Sequence, residues 1–184
     1  CFPLTEAEWK QVYLLSRQQT GTGIVFQGVQ SLPEELLPSE LLLVRWMAET
    51  DAIERKNRRM NQVLTSLVKM FTTLGVCPVL QKGQGVALFY EKPLWRECGD
   101  IDFYFGSEQE FEKARHFVRH CKLREEKMAD RSIFYAWKGV EIEHHTRLLD
   151  LHNPFLRHYA GQLTHRYGYS HILLEENGET EITV

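Results

Sequence analysis

Asp100 and Asp102 stand two residues apart in Gly99-Asp100-Ile101-Asp102-Phe103-Tyr104-Phe105, a run with the aromatic and β-branched content of a strand. A strand sends alternate side chains to opposite faces, so Asp100, Asp102 and Tyr104 share one face and Ile101, Phe103 and Phe105 take the other. Two carboxylates that close repel. They are tolerated if solvated, if one takes up a proton, or if a divalent cation lies between them, and a hard cation such as Mg²⁺ prefers carboxylate oxygen. The apolar side of the same strand supplies a core to pack against.

Upstream, Val76 to Leu80 reads as a short buried strand. Lys82-Gly83-Gln84-Gly85 follows as a turn into an apolar segment, Val86 to Tyr90, with helical character. A glycine turn that enters a helix N-terminus presents free backbone N–H groups, and Lys82 adds a mobile cation. The pairing of a phosphate-type turn with an Asp-x-Asp strand marks a nucleotide-handling site.

The order strand, Gly-containing turn, helix, Asp-x-Asp strand resembles the core of the DNA polymerase β-type nucleotidyltransferase superfamily. More closely, Lys82-Gly83, Pro93, Arg96 and Gly99-Asp100-Ile101-Asp102 are similar to an uncharacterised nucleotidyltransferase family with a Lys-Gly, Arg, Gly-Asp-Ile-Asp pattern. The resemblance implies an α+β fold, a nucleotidyltransferase-like mixed β-sheet with flanking helices and an N-terminal helical region. It also implies a third acid on a neighbouring strand. In Val140-Glu141-Ile142-Glu143-His144-His145-Thr146-Arg147-Leu148, period-two alternation places Glu141, Glu143 and His145 on one face. The family order of acid, apolar residue, His, basic residue and Leu falls on Glu143, His144, His145, Arg147 and Leu148. Glu143 takes the third-acid role, with Glu141 as the fallback.

Carried over, the resemblance implies transfer of a nucleoside monophosphate from an NTP to a hydroxyl acceptor, with two Mg²⁺ ions, or Mn²⁺, held by Asp100, Asp102 and Glu143. Lys82, Gly83, Gln84 and Gly85 would hold phosphates. Arg96 has two uses open to it, a triphosphate contact or pairing with Asp100 or Glu97. His145 is suited to hydrogen-bonding a carboxylate or contacting the acceptor. The chain departs from the wider superfamily in carrying Gln84 after Gly83, a longer gap before the acids, and Glu rather than Asp as third acid. Those departures keep a second reading open, a nucleotide-binding or regulatory module of the same fold with weak catalysis. A third is an interaction domain whose acids are merely exposed.

The chain as a whole fits these readings. At 184 residues, with 43% hydrophobic and 26% charged residues, it can build one good core. A net charge of −3 argues against strong nonspecific nucleic-acid binding. The run Arg55-Lys56-Asn57-Arg58-Arg59 reads as the solvated face of a helix, offset by Glu49, Asp51 and Glu54. Cys1, Cys77, Cys98 and Cys121 form no CxxC, which suits a reducing, cytoplasmic setting. No apolar run approaches the roughly 20 residues of a membrane span. His144, His145, His152 and His158 lack a recognised zinc-ligand spacing. The chain opens on Cys1 and stops on Glu181-Ile182-Thr183-Val184, as expected of a piece of a longer protein.

The positioning elements divide into an N-terminal helical region, 1–75, and a core, 76–184. Thr5 and Glu8 form a capping box for a helix with Trp9, Val12, Tyr13 and Leu15 near one face, ending near Thr20. Ile24 to Val29 is a short helix or buried turn. Ser39 opens a long helix through Leu43, Met47, Thr50, Ile53, Met60, Leu64, Leu67 and Phe71, with a break possible around Asp51. Gly75 ends it. Ser107 caps an amphipathic helix that buries Phe111, Ala114, Phe117 and Val118. Ser132 to Trp137 and Val140 to His145 make a hairpin turning at Lys138-Gly139 and bring Glu143 beside the Asp strand. Leu151 to Leu163 reads as a helix, and Tyr169 to Leu174 with Glu179 to Val184 as a last hairpin around Asn177-Gly178.

Overall fold

A computed structural model describes residues 3–149, 151, 153–174 and 179–184. Cys1, His152 and the turn at Asn177-Gly178 lie outside the described residues. The described chain forms six α-helices and a seven-stranded mixed sheet. It divides into two compact units: the residues up to Arg59 with Val86–Cys98, and Met60–Gly85 with Gly99–Val184. Among the described residues no helix is long and apolar enough to cross a membrane.

The first unit is helical. Helix α1 (Glu6–Gln18) opens on the complete Thr5/Glu8 capping box and buries Trp9, Tyr13 and Ser16, one residue per turn. Leu15 is not on that face and stays exposed. The apolar segment after the Gly21 bend is a helix, α2 (Thr22–Gln30). Helix α3 (Glu40–Thr73) runs 34 residues without a break at Asp51. Its inward face in this unit is Leu42, Trp46, Thr50 and Asn57, so Leu43 and Met47 fall one residue off the packed stripe. Trp9, Tyr13, Phe26, Val29, Leu42 and Trp46 make the core. Tyr13 meets Trp46 edge-on at 5.3 Å, and the Trp46 indole N–H donates to the Thr22 carbonyl at 2.9 Å.

Two polar side chains explain why α3 does not break. The Thr50 hydroxyl donates to the Trp46 carbonyl at 3.0 Å, and the buried Asn57 amide donates to the carbonyls of Leu94 and Arg96 at 2.8 and 2.7 Å. The polar middle of the helix is thus anchored in place by its donors, although Asn57 Oδ1 is buried with no hydrogen-bond partner among the described residues. The same bonds fix the segment around the 3₁₀ turn Pro93–Trp95. Arg55, Lys56, Arg58 and Arg59 are exposed around Asn57, and Arg58 pairs with Glu54 at 2.7 Å.

The second unit carries the sheet, in the order β3-β4-β5-β2-β1-β7-β6. Its strands are β1 (Val79–Leu80), β2 (Ile101–Tyr104), β3 (Glu126–Lys127), β4 (Ile133–Trp137), β5 (Val140–His145), β6 (His171–Leu174) and β7 (Thr180–Thr183). β1 takes up only the last two residues of the expected strand from Val76 to Leu80, and β3 has no alternating pattern to announce it. β4 and β5 form the expected hairpin, with Lys138 and Gly139 both at positive φ (51° and 76°), as a tight two-residue turn requires. β6 and β7 pair antiparallel. Helix α4 (Gln84–Ala87) starts inside the glycine turn and is a single turn long, leaving Leu88, Phe89 and Tyr90 exposed. The last helix, α6, spans Pro154–Tyr167, starting at Asn153, whose side chain caps the first turn.

Helix α5 (Glu108–His120) is capped by Ser107 and buries Phe111, Ala114 and Val118. It packs on the apolar side of β2. Phe105 meets Phe111 at 6.0 Å, and Phe71 of α3 meets Phe103 and Phe117, each at 5.7 Å. Burying each such ring contributes about 1.5–3 kcal/mol. That packing takes one face of β2, and the opposite face carries Asp102, which is itself buried.

Candidate active site

β2 and β5 run parallel with Asp102 opposite Glu143 and Tyr104 opposite His145. Because alternate residues share a face, this register brings the expected acids together from two strands 41 positions apart in sequence. Ligand atoms of Asp102, Glu143 and His145 all lie within 4.8 Å of one another. His145 Nε2 sits 2.9 Å from Asp102 Oδ1 and 3.2 Å from Glu143 Oε2. Lys82 Nζ approaches from the glycine turn, 3.2 Å from Asp102 Oδ2 and 4.0 Å from Asp100 Oδ2.

The Asp102 side chain has no exposed surface. A carboxylate removed from water needs counter-charge. Burial pushes the Asp102 carboxyl up, but His145 and Lys82 outweigh it and hold it below the usual range. Conversely, the bond to Asp102 pushes the His145 imidazole up, with the Asp102, Glu143 and Asp130 charges adding to it. Burial raises Glu143, and the neighbouring charges of Asp102 and Asp100 add to that. The site therefore places a carboxyl and an imidazole side by side, both shifted toward holding a proton.

The donor set fits a divalent cation. Asp102 Oδ2 is buried and accepts no aligned hydrogen bond, its contact with Lys82 being one of charge. A buried carboxylate oxygen in that state keeps a lone pair for a ligand. Asp102, Glu143 and His145 supply two carboxylates and an imidazole, and His145 must release its proton to ligate. Asp100 stands outside this trio, partly exposed beside Lys82. Glu141, two residues before Glu143 on the same face, is exposed and also outside it.

The glycine turn is tied directly to the acid strand. Gln81 N–H donates to the Asp102 carbonyl at 3.0 Å, and the Gln81 side-chain amide donates to the carbonyls of Arg147 and Leu148 at 2.9 and 2.8 Å. Gly83 has φ +62° and lies so close to the Asp100 carbonyl that a Cβ would sit 3.3 Å from that oxygen. A side chain there is opposed both by conformation and by space. Gln84 is buried, and neither atom of its amide has a hydrogen-bond partner among the described residues. Arg96 belongs to the first unit, where its Nη1 lies 3.2 Å from Cys98 Sγ.

Two contributors escape sequence reasoning. Gln81 has no motif to flag it. Asp130, in the turn before β4, faces a cavity of about 160 Å³ shared with Lys82, His145 and Thr146. Its only local signal is the Asx-type turn, in which the Asp130 carboxylate accepts from the Ser132 N–H at 3.0 Å. His144, on the opposite face from His145, fills the apolar slot: it is fully buried among rings, 4.8 Å from Phe105 and 5.0 Å from Tyr135.

No curated protein and no solved structure matches the chain. The model of one protein family, described as an uncharacterised nucleotidyltransferase, matches residues 5–171, which takes in both units and every residue of the acid cluster. By that match the chain belongs to the uncharacterised nucleotidyltransferase family.

Proposed function

We propose that the protein transfers a nucleoside monophosphate from an NTP to a hydroxyl of an acceptor, releasing pyrophosphate, with Mg²⁺ or Mn²⁺ as the working ion. The observation that carries this reading is the in-register meeting of Asp102 with Glu143 and His145 beside Lys82, in a chain of this family. Asp102, Glu143 and His145 hold an ion, and Asp100 assists a second. A bound divalent ion supplies neutralisation of the charge that builds on the attacking and leaving oxygens.

The protein's own groups do the rest. Lys82 swings from Asp102 to the β- and γ-phosphates, since its side chain is more than half exposed. The Gly83–Gly85 turn holds the phosphates closely, and the unpartnered Gln84 amide bonds a phosphate or ribose oxygen. The acceptor oxygen bonds to the α-phosphorus as the bond to pyrophosphate breaks, and its proton passes to the carboxylate of Glu143, the partly exposed acid of the cluster.

Thermal unfolding with NTPs, with and without Mg²⁺ or Mn²⁺, tests the reading on the wild type and Asp102→Asn. A ligand at 100 times its Kd raises stability by about 2.7 kcal/mol. A metal-dependent shift lost in Asp102→Asn, together with metal-dependent pyrophosphate release, supports transfer. Full transfer by Asp102→Asn sinks it. Because Lys82 already neutralises Asp102 in the ligand-free chain, a nucleotide-binding module is the second reading, identified by a nucleotide shift with no pyrophosphate released.

A further inference from the structure

Transfer from an NTP needs a second chamber, for the acceptor, within reach of the acid cluster. The small cavity that holds Lys82, His145 and Asp130 shares Thr146 and Arg147 with a larger one of about 470 Å³. Asp130 lines the first and its neighbour Arg131 the second, so the two chambers meet at the end of β5. The larger volume lies within the usual range for small-molecule sites.

The lining of that chamber is specific. Phe105, Phe111 and Ile133 give it an apolar floor. Four cations reach it, but Arg115 is already held by Glu125 at 2.8 Å and Glu112 at 3.3 Å. Lys127 and Arg131 have no acidic partner among the described residues. Arg131 also holds a left-handed backbone, φ +72°, which is uncommon for a residue with a side chain and is found at ligand-binding positions more often than elsewhere. Glu108 and Glu112 also line the chamber, and their negative charge disfavours a polyanion spread across it. A single compact anion beside Lys127 and Arg131 suits that mixed lining. The other large cavity, about 590 Å³, is lined by Tyr104 and Tyr169, and its Arg157 guanidinium already donates to the Leu151 carbonyl at 3.0 Å.

We infer that the chamber lined by Lys127 and Arg131 binds the acceptor, a small hydroxyl-bearing molecule with one compact anionic group, phosphate monoester or carboxylate. The inference rests on the transfer reading for the word acceptor, and on the cavity alone for the ligand class.

The test uses calorimetric titration of the whole chain with glycerol 3-phosphate, D-glycerate, glycerol and inorganic phosphate. Wild type and Lys127→Gln/Arg131→Asn are compared, Asn being chosen because it tolerates the left-handed backbone. The expected result is saturable binding of glycerol 3-phosphate or D-glycerate, none of glycerol, and a loss of about tenfold or more in the double variant, as for removal of charge-assisted hydrogen bonds. A preference for the phosphate assigns polyol or sugar phosphates, and a preference for the carboxylate assigns hydroxy acids. Absence of saturable binding, indifference to the double substitution, or inorganic phosphate bound as tightly as both probes would overturn the inference. The NTP·Mn²⁺ thermal shift, run on both proteins, should be unchanged by the substitutions. If it is absent from both, the transfer reading fails on its own and the anion titration still judges the chamber.

Discussion

Lys82 Nζ lies 3.2 Å from Asp102 Oδ2, an ion pair between a side chain more than half exposed and one with no exposed surface. The contact lets a buried carboxylate stay charged in the ligand-free chain while leaving its counter-ion free to move.

Lys82→Met separates those two duties. Burial lowers the Lys82 ammonium's proton affinity, but Asp102 and Asp100 outweigh it and keep the group charged. Without that charge the Asp102 carboxyl rises toward its ordinary value, and its share of stability shrinks. Since the folded carboxyl sits below its unfolded value, that share is present above about pH 4 and lost on acidification. KM for the NTP should rise tenfold or more, with a smaller change in kcat. Steady-state pyrophosphate release checks the first effect and urea unfolding at neutral and acid pH the second.

Gln84→Leu should stabilise the fold and weaken nucleotide binding together. The wild-type amide is buried with both polar atoms unpartnered among the described residues. Each unmade bond costs about 1–3 kcal/mol, and Leu of similar volume removes that penalty. A higher unfolding midpoint with a weaker NTP-induced shift is the expected pair of results. A midpoint that falls would mean that the amide is satisfied in solution, and an unchanged nucleotide shift would remove Gln84 from the site.

Much of this architecture is legible in the amino-acid sequence. Strand alternation places Asp100 and Asp102 opposite Ile101, Phe103 and Phe105, and the latter three are buried. The Thr5/Glu8 box and the Lys138-Gly139 turn are local codes, so neighbouring residues suffice to read them. What depends on distant partners is not legible. The run Leu41-Leu42-Leu43-Val44 offers several helical stripes, and only the position of Trp9, Tyr13 and Phe26 selects Leu42 and Trp46. The polar middle of α3 reads as a break because the carbonyls that accept from the Asn57 amide lie nearly 40 residues further on. Gln81 and Asp130 enter the site only through the order of strands in the sheet, which no single segment encodes.

Glu125→Gln should destabilise the chain by about 1–2 kcal/mol at neutral pH, a charge-assisted network on a partly screened surface. Arg115 donates to Glu125 from Nε and Nη2, and Arg119 joins from Nη2 at 2.9 Å, tying α5 to the entry of β3. Arg115 foremost holds the Glu125 carboxyl down to about 2. Its contribution is thus complete above the unfolded value near 4.5 and disappears toward pH 2. Denaturant unfolding of the two proteins should show a gap at pH 7 that narrows steadily below pH 4.

His144 sets a second acid limit, by the opposite charge. The ring is fully buried, its Nε2 lies 2.9 Å from the Tyr135 hydroxyl, and its Nδ1 has no hydrogen-bond partner among the described residues. Burial pushes the imidazole down to about 3. An unfolded histidine takes up a proton near pH 6.5, so between those values the unfolded chain holds the extra proton and stability falls as pH falls. The slope from this one group is at most about 1.4 kcal/mol per pH unit. His144→Phe/Tyr135→Phe replaces both partners, leaving no orphaned polar atom, and Phe suits a site 4.8 Å from the Phe105 ring. The double variant should unfold at nearly the wild-type denaturant midpoint at pH 7.5 and at a higher one at pH 5. Equal loss in both proteins over that window would mean that His144 already carries its proton inside the core, and the acid sensitivity would then belong to the His145 cluster on the other face.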